Sequence, residues 1–454
     1  MRQYTPLLRC AVLGSIVFAS ACQPEIVLEP YVPTSAHDAY RHSLVKNGLN
    51  ETALGRDWRK VGESALRSPV EVETPFKETI YIDAAHAFAT GYRFSVIRGQ
   101  RTEVQLSVQP PADWRIYMDL FREPDGRGEP PVHVASGGEG DLRLAFEPRQ
   151  DGKYLLRLHS ELLRGGNCTL EIRNTASLDF PVAEHDVSSI GSTFGVPREA
   201  GRRTHHGVDI FARRHTEVLA TSNGRVRRVD EWKLGGNIIW LEDPERNIRL
   251  YFAHLQTQDV EEGVWVHAGD RIGTVGNSGN ARTTPTHLHF GVYARGEGPI
   301  DPYPFIHQPT RKPRAVRVEL DNLGRWLRTK KDGVSLHPQP GSNPPLREMP
   351  RHTPLFVSGA SSRSYRVQLP NGVAGYVAES ETEPASRAID TLVFARQAPV
   401  LDRPATDAAV MRRIDAGTSI DVLARFGHYA WVDAGTPGPA WIRGADPRAA
   451  DTSP

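Results

Sequence analysis

The chain has 454 residues, 39% of them hydrophobic, with 55 Lys+Arg against 54 Asp+Glu. That length predicts several domains rather than one, and a near-balanced charge with no long basic run excludes a nucleic-acid binder. Three cysteines, Cys10, Cys22 and Cys168, are too few for a disulfide framework.

At the N-terminus, Arg2 and Arg9 form a short basic region, and Leu7 to Phe18 is apolar but too short to span a bilayer. Ala19-Ser20-Ala21-Cys22 then resembles a bacterial lipobox, with Ala19 where the pattern prefers leucine. The resemblance implies a lipoprotein signal peptide at 1–21, removed in the mature chain, and a membrane attachment through lipid at Cys22. Gln23 stands where an inner-membrane retention signal would have aspartate. The implied location is the periplasmic side of a bacterial cell envelope, at the outer membrane; ordinary signal cleavage at the small residues is the alternative.

Residues 22–36, rich in Pro, Glu and Val without periodicity, read as a tether. The segment 37–74 reads as short and helical: Leu54, Trp58, Val61 and Ala65 recur on one helical face, with Asn50 as a cap. From 75 to 178 the period switches to two. Tyr92–Val96, Val104–Val108, Leu142–Phe146 and Tyr154–Leu158 alternate between turn signals and predict a β-sandwich. Gly91-Tyr92-Arg93-Phe94 and Gly152-Lys153-Tyr154 are similar to the prepeptidase-type modules of secreted peptidases, which implies positioning or binding; a plain spacer fits equally. Cys168, beside Thr169 and Leu170 in a strand-like run, reads as a buried small apolar residue.

The chemistry concentrates in 179–308. Three strings carry it: Thr204-His205-His206-Gly207-Val208-Asp209, Tyr251-Phe252-Ala253-His254, and Thr286-His287-Leu288-His289-Phe290. In an extended strand side chains alternate faces, so His205 and Asp209 share a face, as do His287 and His289, while Leu288 and Phe290 turn to the apolar side. His206 has the wrong parity and reads as a neighbour. Three His and Asp ligands with one position left for water compose a catalytic rather than a structural zinc site. Such a site needs a proton acceptor and a group facing the oxyanion. No HExxH helix supplies a glutamate, which leaves the imidazoles of His254 and His287.

These residues, with Ser189–Gly195, Asn223-Gly224-Arg225-Val226, Gly235-Gly236-Asn237, Gly269–Gly273 and Gly276–Gly279, resemble the LytM/lysostaphin-type (M23 family) zinc metallopeptidases. The resemblance implies an antiparallel β domain with a groove, Zn2+ held by His205, Asp209 and His289, and His254 and His287 as catalytic histidines. One departure is local. Where the family has proline and glycine before Thr216, this chain has Arg213 and His215, which implies a different loop path at the groove rim.

Past a Pro-rich linker at 309–313, two β-rich segments follow at 315–382 and 389–446. Tyr365 to Tyr376 and Tyr429 to Trp441 are nearly equal separations, and both segments resemble bacterial SH3-like (SH3b) barrels, implying two small domains that hold a wall component. Two barrels that merely pack on the peptidase are the alternative, with Tyr376 and Trp441 in their cores. The fold class expected is therefore mainly β and multidomain. The expected function is a zinc-dependent endopeptidase hydrolysing peptide cross-links of peptidoglycan, with division or wall-synthesis proteins as further partners. A non-catalytic LytM-like regulator that activates a wall amidase is the alternative, and a secreted bacteriolytic enzyme a third reading.

Overall fold

A computed structural model describes residues 31–444 apart from 110–113, 125, 127, 139, 199–200 and 436–437. The lipobox and Cys22 lie outside the described residues. The fold is mainly β, as expected.

Two helices, Ala36–Lys46 and Ala53–Arg67, open the described chain. Their caps are Ser35 and Thr52, whose hydroxyls accept from the backbone N–H of Asp38 and Gly55, each at 3.1 Å. Asn50 is therefore not the cap, and Ala36 belongs to a helix rather than to a tether. The buried face of the second helix is Gly55, Trp58, Gly62 and Ala65, not Leu54, Trp58, Val61 and Ala65. Close approach explains the rotation: a Cβ on Gly62 would lie 2.6 Å from the His159 ring. Nor does the helical segment run to 74, because Val70–Glu71 is a strand lying parallel to Tyr92–Arg93.

The period-two stretches fall in strands Ala89–Val96, Gln100–Gln109, Arg143–Phe146 and Gly152–Ser160. Two sheets built around them share one apolar core that includes Tyr92, Phe94, Leu106, Leu156 and Cys168. Cys168 is buried as expected, and burial pushes its thiol up to about 12.

One sandwich sheet does not end at its own edge. Strand Phe76–Ile82 pairs antiparallel with Pro354–Ser361, Thr79 opposite Ala360, so five strands of 326–384 extend the sandwich into a nine-stranded sheet, while Val334–Leu336 and Arg347–Met349 pair only with each other. The first of the two C-terminal segments is therefore joined to the sandwich through a shared sheet. The junction is sealed by a buried cluster in which Arg366 Nη1 lies 3.1 Å from Glu78 Oε2 and Tyr376 O–H donates to Glu78 Oε1 at 2.8 Å. Residues 390–443 form a separate six-stranded sheet. Tyr376 and Trp441 are both fully buried, so they are core residues rather than ligand-facing ones.

Between these parts in the chain comes a ten-stranded sheet, seven of whose strands follow the spatial order Ile190–Ser192, Val208–Phe211, His287–Ala294, Ile248–Gln258, Gly236–Asp243, Gly224–Trp232 and Trp265–Val266. Its pairings are antiparallel. One face carries Val208, Ile210, Leu250, Phe252, Leu288 and Phe290 into a core without solvent contact. The opposite face carries the candidate site.

Candidate metal centre

Register brings the ligands together. Asp209 pairs directly with His289, and Phe211 with His287, across neighbouring strands. Side chains directly opposite on one face are about 5 Å apart at Cβ, so Asp209 and His289 converge while Leu288 and Phe290 enter the core.

His205 arrives by another route. The strand begins only at Val208, so His205 and Asp209 are not two positions of one extended run. A turn at Gly207 swings His205 over the end of the strand, and a Cβ there would lie 2.5 Å from Phe290 O and 2.8 Å from the His289 ring. Glycine lets the backbone pass this close. His206 points away, exposed, with Nε2 3.0 Å from Thr204 Oγ1.

The three ligand atoms form a tight triangle. His205 Nε2, His289 Nδ1 and Asp209 Oδ1 are 3.0 Å from one another. Edges of this length suit an ion bound at about 2.0–2.1 Å, and among the described residues this is the one His/Asp group so arranged. Burial alone would raise the Asp209 carboxyl, but the adjoining His205 and His289 side chains outweigh it and hold it well below the usual carboxylate range.

Two further imidazoles face the triangle. His254 occupies a bulge: Phe252 pairs with Ile239 and Leu255 with Asn237, so the His254 strand carries one extra residue. Its φ is +62°, a conformation that side chains rarely adopt and that persists where the surroundings impose it. Here the His254 N–H donates to Gly235 O at 2.7 Å. Its ring lies 5.1 Å from His287 and 6.0 Å from His289, centroid to centroid.

Both rings have a defined tautomer. Nδ1–H of His254 donates to Ser278 O at 3.0 Å, and Nδ1–H of His287 to Pro285 O at 2.8 Å. Each therefore keeps a lone pair on Nε2. Burial, then the neighbouring His287 and His289, push His254 down to about 4, so it stays neutral and able to accept a proton at neutral pH. His205 is oriented in the same manner, its Nδ1–H donating to Thr193 O at 2.8 Å. That leaves Nε2 for an ion.

Arg198 was not anticipated from the sequence. Its Nη2 donates to Asp209 Oδ2 at 2.6 Å and to Ser192 Oγ at 2.7 Å, leaving Oδ1 as the free ligand atom. The only signal for it was its place just beyond Ser189–Gly195. At the rim, His215 takes φ +69°, the left-handed conformation a glycine would favour, within a turn closed by Thr216 N–H to Arg213 O. The cavity over the triad, about 570 Å3, is lined by the three ligands, His254, His287 and Tyr251, among others.

Residues 203–302 match the family described as Peptidase family M23. The chain is 38% identical over 138 residues to L-Ala--D-Glu endopeptidase of Bacillus subtilis (strain 168), covering 28% of this chain and 42% of that protein. It is 32% identical over 117 residues to murein hydrolase activator NlpD of Escherichia coli (strain K12), covering 26% and 28%. Among solved structures, the catalytic domain of lysostaphin from Staphylococcus simulans is 32% identical, covering 25% of this chain and 89% of that one with a TM-score of 0.24. The chain thus spans less than half the length of these two curated relatives.

Proposed function

With residues 203–302 belonging to Peptidase family M23, we propose that the protein is a zinc-dependent endopeptidase that hydrolyses peptide cross-links of cell-wall peptidoglycan. The observation that carries this reading is the complete 3.0 Å ligand triangle faced by two imidazoles with defined tautomers. The donor set, two imidazoles and a carboxylate with a fourth side open to the groove, suits zinc.

His205, Asp209 and His289 would hold the ion. Zinc, when bound, lowers the pKa of a water to about 7 and polarises a carbonyl. His254, kept neutral by burial, accepts the proton of the attacking water at Nε2. His287 Nε2, which carries a lone pair while the ring is neutral, would donate to the carbonyl oxygen only after taking up a proton from solvent in the open groove. The carbonyls of Ser278 and Pro285 hold both rings in place during these transfers, and Arg198 holds Asp209.

Similarity to NlpD supports a second reading, a murein hydrolase activator without catalysis of its own. The intact ligand set favours the enzyme. Lipid attachment at Cys22, proposed from the lipobox, would keep the protein at the cell envelope, and mass spectrometry of the mature N-terminus checks it.

Digestion of purified sacculi by the full chain, with and without a chelator, tests the function by mass spectrometry of the fragments. Chelator-sensitive loss of cross-linked fragments is the expected outcome. A protein that carries one zinc and cleaves nothing would overturn the enzyme and leave the activator.

A further inference from the structure

The face of the central sheet that bears the metal triangle does not become polar beyond it. Along His287–Ala294 the same face presents His287, His289, Gly291 and Tyr293. The neighbouring strand presents Tyr251, opposite Gly291, and the next presents Trp240, opposite Tyr251. The rings touch in sequence. Tyr251 lies 5.8 Å from the His289 ring, Trp240 4.6 Å from Tyr251, and Tyr293 4.9 Å from Trp240. Trp232 closes the row 6.2 Å from Tyr251 and is 37% exposed.

Trp240 and Tyr293 are half-buried and line a second cavity, about 520 Å3, with Glu242, Arg249 and Arg295 at its edge. Tyr251 lines the cavity over the metal triangle, and its ring, in contact with Trp240, stands between the two spaces. From His289 to Tyr293 the shelf runs about 13 Å along the strand.

Trp240 and Tyr293, half-buried, and the exposed Trp232, with charged hydrogen-bonding groups at their edge, suit a ligand with a flat C–H face and polar rim groups. This step rests on the peptidoglycan reading above. The peptides of that polymer consist of small, acidic and basic amino acids without broad apolar side chains. Its N-acetylated hexosamines do offer such a face, with hydroxyls and an amide at the edge. We propose that Trp240 and Tyr293, with Trp232 at the rim, form a saccharide-binding shelf that takes a hexosamine ring of the glycan strand carrying the peptide to be cut.

Two substrates separate a sugar subsite from a general groove wall: cross-linked muropeptides retaining their disaccharides, and the same peptides with the sugars removed. The full chain should favour the sugar-bearing form, and Trp240→Ala should lower the ratio of the two kcat/KM values about tenfold, chiefly through KM. An unchanged ratio, or no preference in the parent protein, overturns the shelf. Trp232→Ala, at an exposed rim position, should lower the ratio in the same direction and guards against a folding defect at Trp240. Titration of intrinsic tryptophan fluorescence with N-acetylglucosamine oligomers needs no catalysis. Saturable quenching in His289→Ala that is lost in His289→Ala/Trp232→Ala supports the shelf even if no peptide is cleaved, and absence of quenching overturns it.

Discussion

Two groups of histidines in this chain are packed against the same kind of β-sheet surface, yet they end in opposite states. In the central sheet, His205 and His289 converge on the Asp209 carboxylate at the floor of an open groove. Under the N-terminal helices, His37 and His159 converge on each other, Nε2 to Nδ1 at 2.9 Å, sealed by Trp58, which stacks on His159 at 4.0 Å. There Arg157 donates to His37 Nδ1 at 3.0 Å, so His37 must donate through Nε2 to His159 Nδ1. The His159 Nε2–H that results is buried without a hydrogen-bond partner. The Asp119 carboxylate lies 4.0 Å from His37 Nδ1, with Arg157 between them donating to it at 2.6 Å. The first pair has a carboxylate between its rings and a groove above it; the second has its nearest carboxylate paired with Arg157 and Trp58 stacked over it. Closed in this way, it is a neutral structural clasp.

The contrast breaks most visibly at the ligands. His289→Ala should lower peptidoglycan hydrolysis by on the order of 10³-fold, the equivalent of several kcal/mol of lost polarisation, and reduce bound zinc measured by elemental analysis. His159→Ala should do the reverse. Losing the ring that fills the space against Trp58 and Gly62 should destabilise the protein by roughly 3 kcal/mol in urea unfolding, with activity per folded molecule retained. Arg198→Ala probes whether the site depends on its outer partner. Zinc affinity should fall about 10- to 100-fold in a competition titration, while the stability of the helical clasp stays as it was.

Acid sharpens the comparison with the smallest effect. Burial, followed by the Arg157 charge, pushes His37 below its usual value; burial, followed by the charge on His37, does the same to His159. A depressed imidazole binds fewer protons folded than unfolded. Stability is therefore fully present above about pH 6.5 and declines as pH falls below it, by up to about 1.4 kcal/mol per unit for each ring. Urea midpoints of the zinc-loaded protein between pH 7.5 and 5.5 should fall more steeply for the parent chain than for His37→Gln.

What could be read from residues alone was whatever depends on local period. Strand alternation placed His287 and His289 on one face and Leu288 and Phe290 on the other and marked the strands of the sandwich, because side-chain direction in a strand follows from neighbours two residues away. It did not govern His205 and His206, which lie before the strand that begins at Val208. What the fold alone decided depends on chain brought in from elsewhere. The helix face turned by one position because Gly62 admits the His159 ring, a contact across roughly a hundred residues. His254 faces the site through a left-handed bulge imposed by the Gly235 carbonyl. Arg198 reaches Asp209 from a separate hairpin. Strand Phe76–Ile82 finds an edge partner nearly three hundred residues away. Backbone strain, close packing and edge pairing are properties of the assembled chain, and no local pattern of residue types encodes which distant segment will supply them.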